Sequence, residues 1–587
     1  MLNGRFHWLH DRFIALYRNR HLYNLLLAIA IGVLSGYGAV VFKYVIKGTQ
    51  WLFYQNTHDF LDFAAGVPWY LKIAIPGGAG IVVGLIIHLF AREAKGHGVP
   101  EVMMAIALRG GIIRKRVAAA KIFASAITIG SGGSVGREGP MVQIGSSIGS
   151  SIGQICKVPS ADMRTMVGCG AAAGIAATFN APIAGVLFAL EIIVGDFGVT
   201  SFSPVVLSSV TATTISRYYF GDFPTFAIPS YAVVSHWEYL LYPLLGIISG
   251  LVALSFTTSL YWFEDRFDGI TFIPEWVKPA IGGGLLGVIV IWFPQVFGVG
   301  FGSMNLALTS QLGFGMMFLC IWLKILATSV TLGGGGSGGI FAPSLYMGVM
   351  TGGAFGHLVN WLFPTLTAAP GAYALVAMGG LVAGTTYAPI TAILIIFELT
   401  GDYSIILPLM LTCIVAAIMN SFIRRDSIYT IKLRRRGVDL MAGRERTLLG
   451  SIPVSAVMDR EVVRIPENAT LEDIIHVFKE DNAPYLHVVN ADGVLTGIIS
   501  FRDIRPLLGE DSLLRLIIAR DISSKKLVTI TPQNTLQDAM QRFAERGVSQ
   551  LPVVRSGAAQ FLEGTLTERA AASAYDRAVR TQEIEQD

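Results

Sequence analysis

Two ionisable residues, Arg137 and Glu138, stand inside a glycine-rich run at residues 130–140 (GSGGSVGREGP) that interrupts a long apolar stretch. Charge at membrane depth is expensive and points to function by default. Glycines let backbone amides approach a ligand closely. A helix that begins at such a loop aims its unpaired N–H groups, and the positive end of its dipole, at an anion. The chemistry on offer is therefore anion binding with a carboxylate beside the site. A second glycine-rich run ending in proline, residues 333–343 (GGGGSGGIFAP), offers the same chemistry.

The surrounding elements belong to a polytopic membrane protein. Only 14% of the 587 residues are charged and 53% are hydrophobic, against about 25% charged in soluble domains. Mean hydropathy is +0.58. Apolar sequence runs almost unbroken over residues 22–423, with a first span expected at about 22–46. Breaks at 76–78, 282–284 and 333–339 read as re-entrant or split helices, which membranes tolerate where they line a cavity or lie buried in protein. Residues 1–21 carry Arg5, Arg12, Arg18 and Arg20 among Phe, Trp and Leu, without a cleavage pattern. They read as an amphipathic basic helix at the cytoplasmic membrane surface. Basic clusters at 109–116 and 424–436 put both ends of the membrane region in the cytoplasm. The net charge of +4 gives no reason to expect a nucleic-acid partner. Four scattered cysteines (Cys156, Cys169, Cys320, Cys413) form no Cys-x-x-Cys, so buried thiols are expected rather than a zinc site or disulfides. There is no metal-ligand cluster, Walker-type motif or nucleophile triad, so no enzyme and no required cofactor is expected.

Two internal repeats organise the chain. Residues 179–191 (FNAPIAGVLFALE) match 386–398 (TYAPITAILIIFE), with Pro182 and Pro389, and Glu191 and Glu398, each 207 residues apart. Each copy follows one of the glycine-rich loops. Duplicated halves with interrupted helices point to a transporter-type fold with its site at the repeat interface. The second repeat is soluble: residues 457–503 and 522–570 each read as a short strand, a helix capped by Thr470 or Thr535, two strands around a turn and a further helix. The expected fold is an all-α polytopic membrane domain followed by a tandem α/β pair. Its boundaries are 1–21 (surface helix), 22–433 (membrane domain), 434–454 (linker), 455–510 and 511–575 (soluble repeats) and 576–587, with 571–587 as a loose polar tail.

Together these residues resemble the CLC family of chloride channels and proton-coupled anion transporters, and the soluble pair resembles tandem CBS domains. The resemblance rests on GREGP at 136–140, GGIFAP at 338–343 and GHGVPE at 96–101, which occur in family order. It implies inverted halves whose helix N-termini converge on a dehydrated anion path. It also implies a homodimer with one pore per subunit. Chloride or another small anion would be the ligand and membrane lipid the surroundings.

The resemblance assigns roles residue by residue. Glu138 matches the gating glutamate, which occupies an anion site and swings aside when protonated or displaced, with Arg137 beside it. Ile340 and Phe341 match residues whose amides line the central anion site, and Tyr429 matches a tyrosine whose hydroxyl donates to that anion. His97 stands where serine is commonest, which leaves its part in anion binding and pH response open. Ile192 stands where proton-coupled members commonly carry a second glutamate, directly after the residue matching Glu191. Isoleucine cannot hold a proton. Glu191 and Glu398 recur at matching positions, which favours a structural role for both. Pro140 and Tyr429 argue against fluoride as substrate. In the soluble pair, Ser500 and Asp503 match a ribose-binding Ser/Thr-x-x-Asp, whose aspartate becomes Ala570 in the second unit. At most one standard ribose contact for an adenine nucleotide is thus expected, and a purely structural dimerising module is the alternative. The absent acid at Ile192 sets the expectation as passive chloride conduction gated by Glu138, in a bacterial inner membrane. Proton/chloride antiport on the same fold is the alternative.

Overall fold

A computed structural model describes residues 20–584 apart from 223–225, 227–230, 232, 402, 439–448, 451, 482–483, 509–512, 526 and 556–559. The expected surface helix at 1–21 and most of the 434–454 linker lie outside the described residues. The chain divides into two compact units, Met1–Arg435 and Arg436–Asp587.

The first unit is helical. Its first half runs α1 (Arg20–Tyr54), α2 (Trp69–Leu89), α3 (Val99–Arg109), α4 (Arg116–Gly130), α5 (Glu138–Ile155), α6 (Ser160–Phe179), α7 (Pro182–Phe188) and α8 (Val199–Phe220). Its second half runs α9 (Glu238–Asp268), α10 (Lys278–Trp292), α11 (Phe301–Leu308), α12 (Phe314–Gly333), α13 (Phe341–Leu362), α14 (Pro370–Thr386), α15 (Pro389–Thr400) and α16 (Ile406–Ile423), with α17 (Thr430–Arg435) closing the unit. Each helix of the first half has its counterpart eight places along. The backbone confirms the duplication where conformation is most restricted: Asn180 and Tyr387, ending α6 and α14, both take positive φ, at 59° and 58°. Such a value is uncommon outside glycine. By length and apolarity, α1, α2, α9, α12 and α16 can each cross a membrane. The first of these runs on to Tyr54 rather than ending near 46. Lys43 and Lys47 do not break it, because a lysine can lay its aliphatic stem along apolar surface and keep its head in a polar zone.

The halves are inverted. Glu191, in the π-helical turn Ala189–Val194 that extends α7, accepts from the amides of Ile390 (3.3 Å) and Thr391 (2.8 Å) at the start of α15. Glu398, near the end of α15, accepts from Ile183 (3.0 Å) and Ala184 (2.7 Å) at the start of α7. Each acid caps the N-terminus of the other half's helix, where unpaired amides and the dipole favour a carboxylate. Such reciprocity requires equivalent helices to run antiparallel. The structural role expected for both glutamates is what the geometry gives.

The second unit holds two α/β modules. In the first, β1 (Arg464–Pro466) pairs parallel with β2 (Tyr485–Val489), which pairs antiparallel with β3 (Leu495–Ser500); α18 (Leu471–Glu480) lies between β1 and β2 in sequence. In the second, α19 (Leu536–Arg546) precedes the antiparallel pair β4 (Gln550–Val554) and β5 (Leu562–Thr567). Thr470 and Thr535 cap their helices as expected, each in a reciprocal pair with the aspartate three residues on, Asp473 or Asp538.

Two expectations need correction. Residues 571–584 are not a loose tail: α20 (Glu568–Ile584) continues to Ile584, and Ala571 and Ala574 are buried in the second module's core. Small apolar residues at helical spacing give that polar segment one face to bury. The 510/511 boundary divides the sequence but not the packing. Leu449 and Val454 join the second module's core, while Ala519 joins the first's. The modules exchange their leading segments. Of the four cysteines, all free, Cys169, Cys320 and Cys413 are buried and Cys156 is half-buried.

Candidate functional site

The glycine loops meet at the centre of the first unit and are sewn together by backbone. Gly136 and Gly339 exchange both amide–carbonyl bonds, at 2.7 and 2.6 Å. Gly96 donates to the Gly336 carbonyl (3.1 Å) and accepts from Gly338 (3.3 Å). Only glycine allows this approach: a Cβ on Gly139 would lie 2.4 Å from the His97 carbonyl and 2.9 Å from the Gly339 Cα.

Two buried lysines hold the loops from behind. The Lys121 ammonium donates to the carbonyls of Ala94 (3.0 Å) and Gly96 (2.7 Å). Lys324 does the same for Gly298 (2.9 Å) and Val299 (3.1 Å) in a fourth loop, 298–300, that the sequence reading did not single out. That loop ties back to the first through the Gly298 amide and the Gly132 carbonyl, 2.9 Å apart. Both lysines are fully buried. The signal was present as a short repeat, Lys121-Ile-Phe-Ala-Ser against Lys324-Ile-Leu-Ala-Thr, and as Gly96-His-Gly98 against Gly298-Val-Gly300.

This frame aims α5 and α13 N-terminus to N-terminus. Glu138 opens α5, and its carboxylate is fully buried. One of its oxygens lies where a side chain on Gly136 would stand. The amides of Arg137, Glu138 and Ala342 surround the carboxylate, yet neither oxygen makes a hydrogen bond of good geometry. The Arg137 Nε is 4.0 Å away. The group is placed in the gap between two helix ends without being locked there.

Beneath it, Ile340 and Phe341 begin α13, and their amides have no acceptor among the described residues. Tyr429 lies just ahead of α17, is buried, and stands within electrostatic range of Glu138. Its ring centroid is 6.0 Å from that of His97. Both His97 ring nitrogens are buried without a hydrogen-bond partner among the described residues, and Lys121, Lys432 and the Glu101 that Lys432 pairs with at 3.5 Å crowd the same region. The expected residues Glu138, Ile340, Phe341, Tyr429 and His97 are thus brought together. Arg137 lies at the edge of this group, its guanidinium 5.3 Å above the Phe301 ring. Ile192 is 9% exposed and sits in the π-helical turn beside Glu191. Nothing in that turn replaces an acid at position 192.

Free amides at two opposed helix ends form a strong but uncharged anion trap, and a carboxylate that reaches into it competes for the same donors. Such a trap binds an anion while leaving it able to depart, which conduction requires.

In the second unit, Ser500 and Asp503 line a cavity of about 160 Å³ together with Tyr485, His487 and Gln550. The Asp503 carboxylate already accepts from the Ser500 amide (2.8 Å) and hydroxyl (2.7 Å).

Comparison with known proteins agrees with this geometry. Residues 79–421 match the family model described as voltage gated chloride channel, and residues 454–510 and 519–577 match the CBS domain. The chain is 34% identical over 425 residues (71% of this chain, 98% of the relative) to a putative chloride channel protein ClcB-like of Ralstonia nicotianae. It is 34% identical over 421 residues (70% and 89%) to the H(+)/Cl(-) exchange transporter ClcA of Cronobacter sakazakii. Among solved structures, a slow cyanobacterial Cl-/H+ antiporter superposes with a TM-score of 0.64 at 29% identity, covering 70% of this chain and 97% of its own. The chain belongs to the CLC family of membrane chloride channels and transporters and carries a C-terminal pair of CBS domains.

Proposed function

We propose that the protein exchanges chloride for protons through one anion path in each subunit, with Glu138 as both the gate and the proton-accepting group. The observation that carries this reading is the position of the Glu138 carboxylate. It fills the gap between two amide-lined helix ends, fully buried and without a well-formed hydrogen bond. A buried carboxylate left unsatisfied is costly, so it yields its place either to chloride or to a proton. Each exit couples one ion to the other. The relatives' names agree: an exchange transporter at 34% identity and an antiporter structure at 29%.

This reading departs from the passive conduction that Ile192 suggested. The missing acid removes one residue from a proton route but leaves the gate intact. Protons reach Glu138 from the inner side through His97, whose two unpartnered nitrogens adjoin Tyr429, and through water in the anion path. A passive channel is the second reading; Ile192 and the ClcB-like relative favour it. As part of the same proposal the chain forms a homodimer in a bacterial inner membrane with cytoplasmic termini, and the Ser500–Asp503 cavity takes an adenine nucleotide.

The test is Glu138→Gln, which mimics the protonated gate. In proteoliposomes it should keep or raise chloride flux while abolishing chloride-driven proton movement. Chloride flux and proton movement both unchanged would remove Glu138 from the mechanism.

A further inference from the structure

A cavity of about 190 Å³ is lined among others by Lys43, Arg137, Asn180 and Phe220, and Glu138 is not among its lining residues. Lys43 stands on α1, a helix long and apolar enough to cross a membrane that begins at Arg20; at about 1.5 Å per residue it lies roughly 34 Å along that helix from its N-terminal end, so we take the cavity to face the side opposite that end. Two cations line the cavity and no carboxylate does. The Lys43 ammonium stands 3.5 Å over the Phe220 ring, and no hydrogen bond or ion pair engages it among the described residues. The Arg137 Nε is buried with no hydrogen-bond partner among the described residues and forms a long ion pair with Glu138 at 4.0 Å.

The other charged groups at this rim neutralise one another. Arg217 pairs with Asp222 at 3.1 Å and donates to the Asn180 side-chain oxygen at 2.7 Å, while the Asn180 amide donates to Asp222. The C-terminal ends of α6 and α8 also approach here, and helix carbonyls repel anions. One of those carbonyls, Ala177, is already taken by the Ser216 hydroxyl at 2.7 Å. Arg137 shares its charge with Glu138 at 4.0 Å, and Lys47 stands near Lys43, so the cation lining the cavity without a carboxylate partner among the described residues is Lys43. Lys43 caps neither helix, since it bonds to no carbonyl.

We propose that Lys43 and Arg137 form an outer anion-loading site that takes a chloride-like inorganic anion one step before Glu138. Arg137 belongs to this site and adjoins the gate, its Nε 4.0 Å from the Glu138 carboxylate, so an anion held here is next in line when Glu138 leaves. The site rests on the anion path proposed above, and it sets the apparent affinity at this face of the membrane without setting the rate of exchange.

The test is chloride uptake and efflux in proteoliposomes, with chloride varied on one face at a time, for Lys43→Met and Lys43→Arg. Removing one partly exposed charge is worth roughly 0.5–1 kcal/mol, so Lys43→Met should raise half-saturating chloride about two- to fivefold from the cavity's face only. Flux at saturating chloride should be unchanged, and Lys43→Arg should restore the wild-type value. An unchanged half-saturation at both faces overturns the site. So does an equal loss of maximal flux without a shift in half-saturation, which is the behaviour of a structural lysine. Glu138→Gln separates this failure from that of the gate. A null result for Glu138→Gln with a Lys43→Met shift retires the gate and keeps the site; the reverse retires only the site.

Discussion

Gly139→Ala isolates the contact on which the anion site depends. Gly139 is the second residue of α5, and in a free helix the added methyl would be favourable by about 1 kcal/mol. In the folded protein that Cβ would lie 2.4 Å from the His97 carbonyl and 2.9 Å from the Gly339 Cα, where ordinary contact begins near 3.4 Å. Both obstacles are backbone, so no rotamer relieves them, and the loops must part by about 1 Å. Overpacking of this kind costs roughly 1–3 kcal/mol, which outweighs the helical gain. A displacement of that size at a preorganised site can lower the rate on the order of a hundredfold. Gly78→Ala is the control: Gly78 also lies in a helix, α2, and its Cβ would meet nothing within 4 Å. Chloride flux per molecule, with thermal stability in detergent, should fall for Gly139→Ala and stay near wild type for Gly78→Ala. Equal flux and stability in the two variants would refute the claim that loop contact positions the helix ends.

Three further outcomes follow. Glu191→Ala and Glu398→Ala each strip a carboxylate from two amides at a helix N-terminus, so each should destabilise the membrane unit by about 1–2 kcal/mol, seen as a lower Tm; full stability in either would contradict the reciprocal caps. His97→Ser should keep chloride movement and weaken proton coupling, and should do so with Lys121, Lys432 and Glu101 unchanged; intact coupling would move the proton route elsewhere. Burial of His487 holds its ring below the ordinary histidine pKa, opposed in part by the Val463 carbonyl and helped by the smaller effect of Arg464. The unfolded chain then takes up the proton first. Stability of the soluble unit should be full above about pH 6.5 and fall as the pH drops below it, read by hydrogen exchange of β2 in the intact protein. His487→Gln should flatten that dependence.

Much of the site was legible because its chemistry is carried by backbone, and backbone access is announced by glycine. Residues 136–140 and 338–343 could be placed on helix starts from composition alone, and the 207-residue repeat already implied matching halves. The lysines behind the loops were harder to see. A single Lys in an apolar helix reads as an interfacial anchor until the carbonyls of Ala94 and Gly96, or Gly298 and Val299, are known to surround it. Inversion was implied by the family resemblance but could not be read from the repeat itself, since it lives in the bonds between Glu191 and α15 and between Glu398 and α7. The exchanged leading segments of the CBS pair escaped for the same reason: Leu449 and Val454 look like linker until the core they enter is folded. The polar stretch after residue 570 hid its buried alanines among charged neighbours, and the full extent of α20 was missed with them.

The reversal potential of the wild-type protein in a planar bilayer tests the exchange reading most directly. Under a fixed chloride gradient, an added pH gradient should move the reversal potential away from the chloride equilibrium potential, in the direction that proton-for-chloride exchange requires. A reversal potential that stays at the chloride value, whatever the pH gradient, would contradict exchange and establish passive conduction past Glu138.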